Sequence, residues 1–244
     1  MRILLIRHGD PDYEHDALTE RGKVEAKLLA GKLAEERIDY AYVSTMGRAM
    51  QTAAPTLAVK GMEAEYYDWL REFSDKHIMR PDQDTPAAVC WDWLPQDWTK
   101  HDEFYDMNQW TEQEIMAAVD MKSYAKMVED GLDELLARHG YVRDGRTYRA
   151  EEPNDDTIAL FCHFGVGCVI IGHLLGISPM PLWHGFAAAP TSVTTIRTEE
   201  RREGIASFRI SCYGDTTHLY VGDVEPSFSA RFCELYTNED ERHD

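Results

Sequence analysis

The feature that most constrains the fold is a short apolar run, Ile3 to Ile6, which stops abruptly at Arg7-His8-Gly9-Asp10. A run this short, rich in Ile and Leu and followed by glycine, is typical of a buried strand that ends in a turn. In open α/β sheets, ligands bind beyond the carboxyl ends of the strands. We therefore expect Arg7 and His8 to face a crevice, with Gly9 letting the backbone approach a ligand closely. Two adjacent cationic or potentially cationic side chains repel each other unless an anion lies between them, so the pattern predicts an oxyanion site.

Strand-like and helix-like segments alternate after this first run. Apolar residues at helical spacing, from Val24 to Leu33, predict a helix over residues 19–37, with Thr19 placed to cap it. Further strands are predicted at residues 38–44, 157–162, 192–197 and 205–213, and further helices at residues 47–58, about 111–139 with a potential break near Asp120, and 165–175. This alternation implies parallel strands joined by right-handed crossovers, which is an α/β fold.

Several stretches are predicted to lie outside this core. We expect residues 143–156 to form a surface connection, residues 199–204 a charged turn, and the acidic tail from Glu225 to fray at its end. An insertion at about residues 74–120 lacks a regular period, and we expect it to fold over the active-site side of a single domain, 1–244. It holds four of the six tryptophans, Trp91, Trp93, Trp98 and Trp110. Two interpretations of these tryptophans are open: they pack a small satellite core, or some line a lid over the ligand.

Charge and composition limit the classes of partner. With 244 residues, 43% of them hydrophobic, the chain can bury one sizeable core. A formal net charge of −19 argues against a nucleic-acid or anionic-membrane partner, since both require a basic surface. Five cysteines without a CxxC pair indicate neither a disulfide framework nor a zinc site. The first apolar stretch is too short for a signal peptide and no later one suits a membrane span, so we expect a cytoplasmic protein.

Four cationic or potentially cationic side chains fall at predicted strand ends or at the helix starts that follow: Arg7, His8, Arg48 and His163. Each alone has an unremarkable interpretation, as a turn residue, an exposed helix residue or a hydrogen-bonded histidine. Their joint placement favours a shared site. A neutral imidazole can accept a phosphoryl group without a base, and arginines can fork two hydrogen bonds onto phosphate oxygens. A protonated His163 would add a third positive charge, and Glu72 is the candidate acid for the leaving group.

The order of these segments resembles the histidine phosphatase superfamily, which includes the cofactor-dependent phosphoglycerate mutases. The resemblance rests on Arg7-His8-Gly9, Leu18 to Gly22, Ser44 to Ala53, Leu70-Arg71-Glu72 and Cys162 to Gly165, with weaker similarity at Pro190 to Thr194 and Asp215 to Leu219. It covers most of the chain except the insertion. It implies a three-layer α/β/α sandwich with a mostly parallel central sheet.

The same resemblance implies the roles of the site residues. His8 becomes phosphorylated, Arg7, Arg48 and His163 bind the phosphoryl group, and Glu72 donates the proton. Phe164 stands where the family commonly has glycine; its side chain would narrow the pocket while its backbone amide still donates to phosphate. The loop after the first motif also departs from the family, because it reads Asp10-Pro11-Asp12-Tyr13.

Three activities are compatible with these residues. The mutases of the family carry a Ser-x-x-Asn signature after the first motif, which this chain lacks, so we favour a phosphatase acting on a small phosphorylated metabolite. A phosphoglycerate mutase is the first alternative, and a non-catalytic or regulatory phosphate-binding module is the second. The chemistry needs no cofactor or metal, although His77, Asp82 and His101 in the insertion offer potential cation ligands.

The oligomeric state has two interpretations at this stage. Apolar residues in the segment 179–189 would form a homodimer interface or would simply cover the sheet. They are Met180, Leu182, Trp183 and Phe186.

Overall fold

A computed structural model describes residues 1–86 and 88–243. The strands are β1 (Arg2–Arg7), β2 (Pro11–Asp12), β3 (Ala17–Leu18), β4 (Tyr40–Ser44), β5 (Glu65–Tyr67), β6 (His77–Ile78), β7 (Ala88–Val89), β8 (Tyr141–Asp144), β9 (Thr147–Ala150), β10 (Thr157–Cys162), β11 (Val193–Arg202) and β12 (Ile205–Asp215). The α-helices are α1 (Glu20–Ala34), α2 (Gly47–Lys60), α3 (Pro95–Trp98), α4 (Glu114–Ala117), α5 (Met121–Arg138), α6 (Phe164–Leu175), α7 (Met180–Gly185) and α8 (Thr217–Val221). Short 3₁₀ helices lie at Asp68–Leu70, Asp102–Tyr105 and Phe228–Ala230.

The central sheet is mixed, with strand order β5-β4-β10-β1-β11-β12-β9-β8. Neighbouring strands from β5 to β1 are parallel, whereas every pairing from β1 to β8 is antiparallel. The parallel half contains the strands that the strand–helix alternation predicts. The carboxyl ends of β1, β4 and β10 therefore meet at one edge of the sheet.

Helices cover both faces of the sheet. Leu4 and Ile6 of β1 pack in one cluster with apolar residues of α1 and α2. Ile3 and Leu5 face the opposite side and pack in a larger cluster with residues of α5 and α6. Because successive side chains of a strand point to opposite faces, this alternation requires a layer of helices on each side. The predicted three-layer α/β/α sandwich is confirmed.

The helix boundaries follow local signals in the sequence. Thr19 caps α1, since its side chain accepts a hydrogen bond from the Gly22 amide. The pattern places Val24 on the packed face of α1, but Val24 is 47% exposed and Glu25 is buried instead. The predicted break near Asp120 is confirmed, because Asp120 has a φ of 52° between α4 and α5. Such a left-handed backbone ends one helix and redirects the next.

Residues 143–156 were expected to form a surface connection, and this prediction is wrong. β8 and β9 form a hairpin that extends the central sheet beyond β12. Gly145 in its tight turn has a φ of 62°, a conformation that glycine adopts readily. Tyr141 and Tyr148 anchor the hairpin in the core. The two turn residues are Gly145-Arg146, and the glycine was the available signal, since one class of two-residue hairpin turns requires glycine at its first position.

The charged stretch 199–204 is also more regular than predicted. β11 continues to Arg202 and β12 begins at Ile205, so most of the expected turn is strand. The side chains from Glu199 to Arg202 are largely exposed. Exposed strands carry no apolar alternation, which is why the pattern does not reveal them.

The tryptophans of the inserted segment join the main core rather than a separate one. Trp93, Trp98 and Trp110 are buried in the apolar cluster that also contains residues of α5 and α6, and Trp110 stacks edge-on against Trp183 of α7 with ring centroids 5.5 Å apart. These three tryptophans are therefore packed, but not in the small satellite core that the packing interpretation predicts. Trp91 is partly exposed, and both Trp91 and Trp93 line the cavity described below.

The apolar segment 179–189 lies mostly inside the chain. Met180, Leu182 and Trp183 are buried, and of the four apolar residues considered for an interface only Phe186 is exposed. The segment thus packs against the rest of the same chain and does not offer the apolar interface considered above. The homodimer itself stays a prediction. Within the described residues, no helix combines the length and apolar character that crossing a membrane requires.

Candidate active site

The register of the parallel strands brings the two predicted histidines together. Arg7 of β1 pairs with Cys162 of β10, so His8 and His163, the residues that follow, emerge side by side. Their ring centroids are 5.0 Å apart. Glu72 reaches the same place from the loop after β5, and one ligand atom from each of these three side chains lies within 4.8 Å of the others.

The His8 ring is held in one tautomer. His8 is only 1% exposed, and its Nδ1 lies 2.7 Å from the carbonyl oxygen of Gly9. A carbonyl oxygen only accepts hydrogen bonds, so Nδ1 carries the proton. Burial, followed by the charges of Arg7 and Arg48, holds the pKa of His8 well below its usual value. The ring is therefore neutral, and Nε2 keeps its lone pair with no hydrogen-bond partner among the described residues.

His163 is buried beside Ser44, the last residue of β4. The Ser44 hydroxyl lies 2.8 Å from Nε2 of His163 and also accepts a hydrogen bond from the Met46 amide. Burial first, and then the nearby His8, Arg48 and Arg7, lower the pKa of His163 well below its usual value. The lowered pKa favours the neutral ring in the free protein, which then lacks the third positive charge that a protonated His163 would add. A neutral ring whose Nε2 accepts from Ser44 presents an N–H at Nδ1, which can donate to an anion.

Arg7 and Arg48 are buried at the same edge of the sheet, at 8% and 4% exposure. Arg7 donates through Nη1 to the Ala188 carbonyl, and Arg48 donates through Nη1 to Asp16 at 2.6 Å. The Nε of each guanidinium has no hydrogen-bond partner within the described portion of the chain. Two buried positive charges beside neutral histidines create a site that favours a dianion.

Glu72 is built to hold a proton. Its Oε1 accepts hydrogen bonds from the amides of Phe73 (3.0 Å), Gly165 (2.9 Å) and Val166 (3.3 Å). Burial nevertheless raises the pKa of Glu72 above its usual value, against the opposing effect of these hydrogen bonds and of the two arginines. A carboxyl group with a raised pKa suits a general acid.

Gly165 allows this approach of Glu72. A Cβ at Gly165 would lie 2.7 Å from Oε1 of Glu72 and 2.5 Å from the ring of Trp91. A larger residue would therefore push Glu72 away from the start of α6. Phe164 is the first residue of that helix, so its amide has no intrahelical acceptor and remains available beside His163.

Gly9 allows two backbone segments to approach closely. A Cβ at Gly9 would lie 2.9 Å from the Gly22 carbonyl oxygen, and a Cβ at Gly22 would lie 2.3 Å from the Asp10 carbonyl oxygen. The two glycines thus let the loop after β1 pack against the start of α1. The close approach of Gly9 to a ligand stays a prediction.

Sequence reasoning missed the residue that positions Arg48. Asp16 has a φ of 46° in the loop after β2, and its two carboxylate oxygens bind Arg48 and the Gly47 amide. The exposed ring of Tyr13 lies 5.4 Å from the same guanidinium. Nothing in the spacing of Asp16 marks it, because the contact depends on how the loop folds back onto α2.

We expect Asp16→Asn to lower kcat/KM for phosphomonoester hydrolysis by about tenfold, because catalysis is sensitive to the position of charged groups. Asparagine tolerates the left-handed backbone but keeps a single acceptor oxygen, so it holds either Arg48 or the Gly47 amide. Steady-state kinetics on purified variants measures the effect. Asp12→Asn is the control, since the Asp12 carboxylate binds the exposed His15. An unchanged or increased kcat/KM for Asp16→Asn contradicts the prediction.

His8, Glu72 and His163 are also three potential metal ligands. The charges of Arg7 and Arg48 lie beside them and oppose the binding of a cation. The alternative cluster considered from the sequence, at His77, Asp82 and His101, does not form such a group in the part of the chain described.

The site opens into a cavity of ≈ 540 Å³. Arg7, Glu72 and Phe164 form part of its wall, and Trp91 to Pro95 of the inserted segment form another part. Tyr13 and residues 183–187 also line it. The carboxyl-terminal tail, predicted to fray at its end, contributes Ser229, Arg231, Phe232, Arg242 and His243. A cavity of this size can enclose a small organic ligand.

The comparison with known families is consistent with this geometry. The sequence profile of the histidine phosphatase superfamily (branch 1) matches residues 3–211. Phosphoserine phosphatase 1 of Hydrogenobacter thermophilus is 24% identical over 226 residues, which cover 87% of this chain and 94% of that protein.

Solved structures with the same fold include two phosphatases. A mutant phosphoserine phosphatase from Entamoeba histolytica, in complex with phosphoserine, superposes with a TM-score of 0.60 at 18% identity, covering 89% of this chain and 98% of that one. A mycobacterial glucosyl-3-phosphoglycerate phosphatase with bound VO3 superposes with a TM-score of 0.58 at 20% identity, covering 88% of this chain and 99% of that one. At these identities the likeness establishes the fold.

Proposed function

This chain belongs to the histidine phosphatase superfamily (branch 1), and we propose that it hydrolyses a small phosphomonoester through a phosphohistidine at His8. The observation that carries the proposal is the state of His8. Its Nδ1 is fixed by the Gly9 carbonyl, its Nε2 keeps a free lone pair, and two buried arginines lie beside it. A nucleophile and an anion-binding pocket thus occupy the same place.

In the first step, Nε2 of His8 attacks phosphorus and the bond to the leaving oxygen breaks. Arg7, Arg48 and the Nδ1–H of His163 bind the phosphoryl oxygens, and the Phe164 amide offers a further donor. The leaving alkoxide takes the proton of Glu72, whose raised pKa favours the protonated form that this step requires.

In the second step, the ionised Glu72 accepts a proton from a water molecule as that water attacks the phosphohistidine. The N–P bond breaks, inorganic phosphate leaves, and both His8 and Glu72 return to their starting forms. A single carboxyl group serves first as acid and then as base, which requires it to lie on the leaving-group side of phosphorus.

The inserted segment and the relatives support a small metabolite as substrate. Trp91 lines the cavity together with Arg7 and Glu72, so we propose that the insertion covers the leaving group. Relatives and structural neighbours are named as phosphatases of phosphoserine and glucosyl-3-phosphoglycerate, which are phosphomonoesters.

Product analysis tests hydrolysis against the mutase alternative. The purified chain is incubated with phosphoserine and, separately, with 3-phosphoglycerate plus its bisphosphorylated primer. Release of inorganic phosphate supports the proposal. Formation of 2-phosphoglycerate at a rate above phosphate release contradicts it.

We expect phosphatase activity to survive treatment with a chelator, because arginines and histidines supply the donors that bind the phosphoryl group. Phosphate release is measured before and after dialysis against EDTA. Loss of activity that zinc or magnesium restores contradicts this prediction.

A further inference from the structure

The C-terminal segment, residues 225–243, is attached to the loop that carries His8. The Ser227 hydroxyl donates to Asp10, two residues after His8, at 2.6 Å, and Arg21 of α1 donates to the Glu225 carbonyl. The end of the segment folds back on itself, since the Cys233 amide donates to the Arg242 carbonyl at 2.9 Å. These contacts place the segment across the mouth of the cavity.

Two arginines of this segment, Arg231 and Arg242, line the cavity that also contains Arg7 and Glu72. They concentrate positive charge at one place in a chain with 44 acidic and 25 basic residues. Neither forms an ion pair with a carboxylate among the described residues. Both instead lie over rings of their own segment, Arg231 at 4.6 Å from the centre of Phe228 and Arg242 at 4.1 Å from that of Phe232.

This arrangement leaves hydrogen-bond donors unsatisfied by protein anions. A guanidinium stacked on a ring still offers its N–H edge, and that edge matches the two oxygens of a carboxylate or phosphate. The ring contacts of exposed arginines contribute only modestly to stability, and they leave the N–H edges free to bind a ligand. The phosphoryl group is already provided for by Arg7 and Arg48. The further pair therefore suits a second anionic group on the same ligand.

We propose that Arg231 and Arg242 form a second-anion subsite, which binds a carboxylate or second phosphate on the leaving group of the substrate. The inference rests on the proposed phosphatase function and narrows its substrates to phosphomonoesters with an anionic leaving group. Trp91 and Trp183 line the cavity as well and provide apolar surface for the carbon skeleton between the two anions.

Binding of non-hydrolysable probes tests the subsite independently of turnover. Phenylphosphonate, 4-carboxyphenylphosphonate and 1,4-phenylenebisphosphonate are titrated into the full chain by calorimetry. We expect one of the doubly anionic probes to bind about tenfold more tightly than phenylphosphonate, as a charge-assisted hydrogen-bonded pair allows. The carboxylated probe identifies a carboxylate as the preferred group, and the bisphosphonate identifies a second phosphate.

Variants test whether Arg231 and Arg242 cause the preference for a doubly anionic probe. The double variant Arg231→Gln with Arg242→Gln is expected to bind all three probes with similar affinity, and Arg231→Lys with Arg242→Lys to retain part of the preference. Arg201→Gln is the control, because Arg201 is exposed near the far end of β11, about 25 Å along the strand from the site.

Equal affinities for the three probes in the unmodified chain, or a preference that survives both glutamine substitutions, overturns the subsite. Hydrolysis of phenyl phosphate is measured in parallel. Absence of that hydrolysis counts against the proposed phosphatase function, whereas the probe affinities alone decide the subsite.

Discussion

Replacing His8 with alanine is expected to abolish hydrolysis of phosphomonoesters, with a loss of about four to six orders of magnitude in kcat. The reason is that Nε2 of His8 is the atom that takes the phosphoryl group. Among the described side chains near Arg7 and Arg48, no other has a neutral ring with one nitrogen fixed as a donor and the other unpartnered and able to attack. Release of phosphate from an aryl phosphate measures the loss. Rapid quenching of the unmodified protein should also yield a phosphoenzyme that is labile in acid and stable in base, and the variant should form none.

The matched control is His15→Ala. His15 lies in the loop that follows the same strand, but its side chain is exposed and its hydrogen-bond partner within the described chain is Asp12. We expect it to retain full activity and the same phosphoenzyme. Circular dichroism verifies that both variants are folded. A His8→Ala variant that keeps substantial turnover removes the assignment of the nucleophile.

The core of the site is predictable from the sequence because strand ends are predictable. Apolar runs that stop at His8, Ser44 and His163 identify buried strands, and parallel pairing brings their carboxyl ends to one edge. A strand register then places neighbouring residues side by side, as the pairing of Arg7 with Cys162 does. The residues that form the site can thus be predicted, because they follow short apolar segments that the hydrophobic pattern of the sequence identifies well.

The contacts that tune the site depend on irregular backbone, which carries no period. Asp16 reaches Arg48 only because the loop after β2 takes a left-handed turn. Burial of His163 among positive charges lowers its pKa, whereas the sequence alone allows a protonated ring. The C-terminal segment looks like a frayed acidic tail by composition, yet its few arginines line the cavity. In each case the feature depends on a tertiary contact between residues that are far apart in the sequence.

Glu72→Gln is expected to affect the two chemical steps differently, depending on whether the leaving group needs a proton. With phenyl phosphate, whose leaving group needs a proton, we expect kcat to fall by about 10²–10⁴-fold. With 2,4-dinitrophenyl phosphate the first step needs no acid, so the variant should release about one equivalent of dinitrophenolate in a burst. The following turnover should then be slow, because glutamine cannot accept the proton of the attacking water. Stopped-flow absorbance measures the burst and the steady rate.

The pH dependence of kcat/KM, compared between the unmodified protein and the Glu72→Gln variant, gives a second measurement. Because Glu72 has a raised pKa and acts in its protonated form, kcat/KM of the unmodified protein with phenyl phosphate should decline as pH rises through that raised value. His8 has a lowered pKa, so the nucleophile stays neutral well below pH 6.5 and does not limit the rate there. The Glu72→Gln variant should lose the alkaline decline, whereas Glu63→Gln, an exposed residue on the loop before β5, should keep it. Equal losses for both leaving groups, or an alkaline decline that persists without the carboxyl, would place the proton donor elsewhere in the cavity.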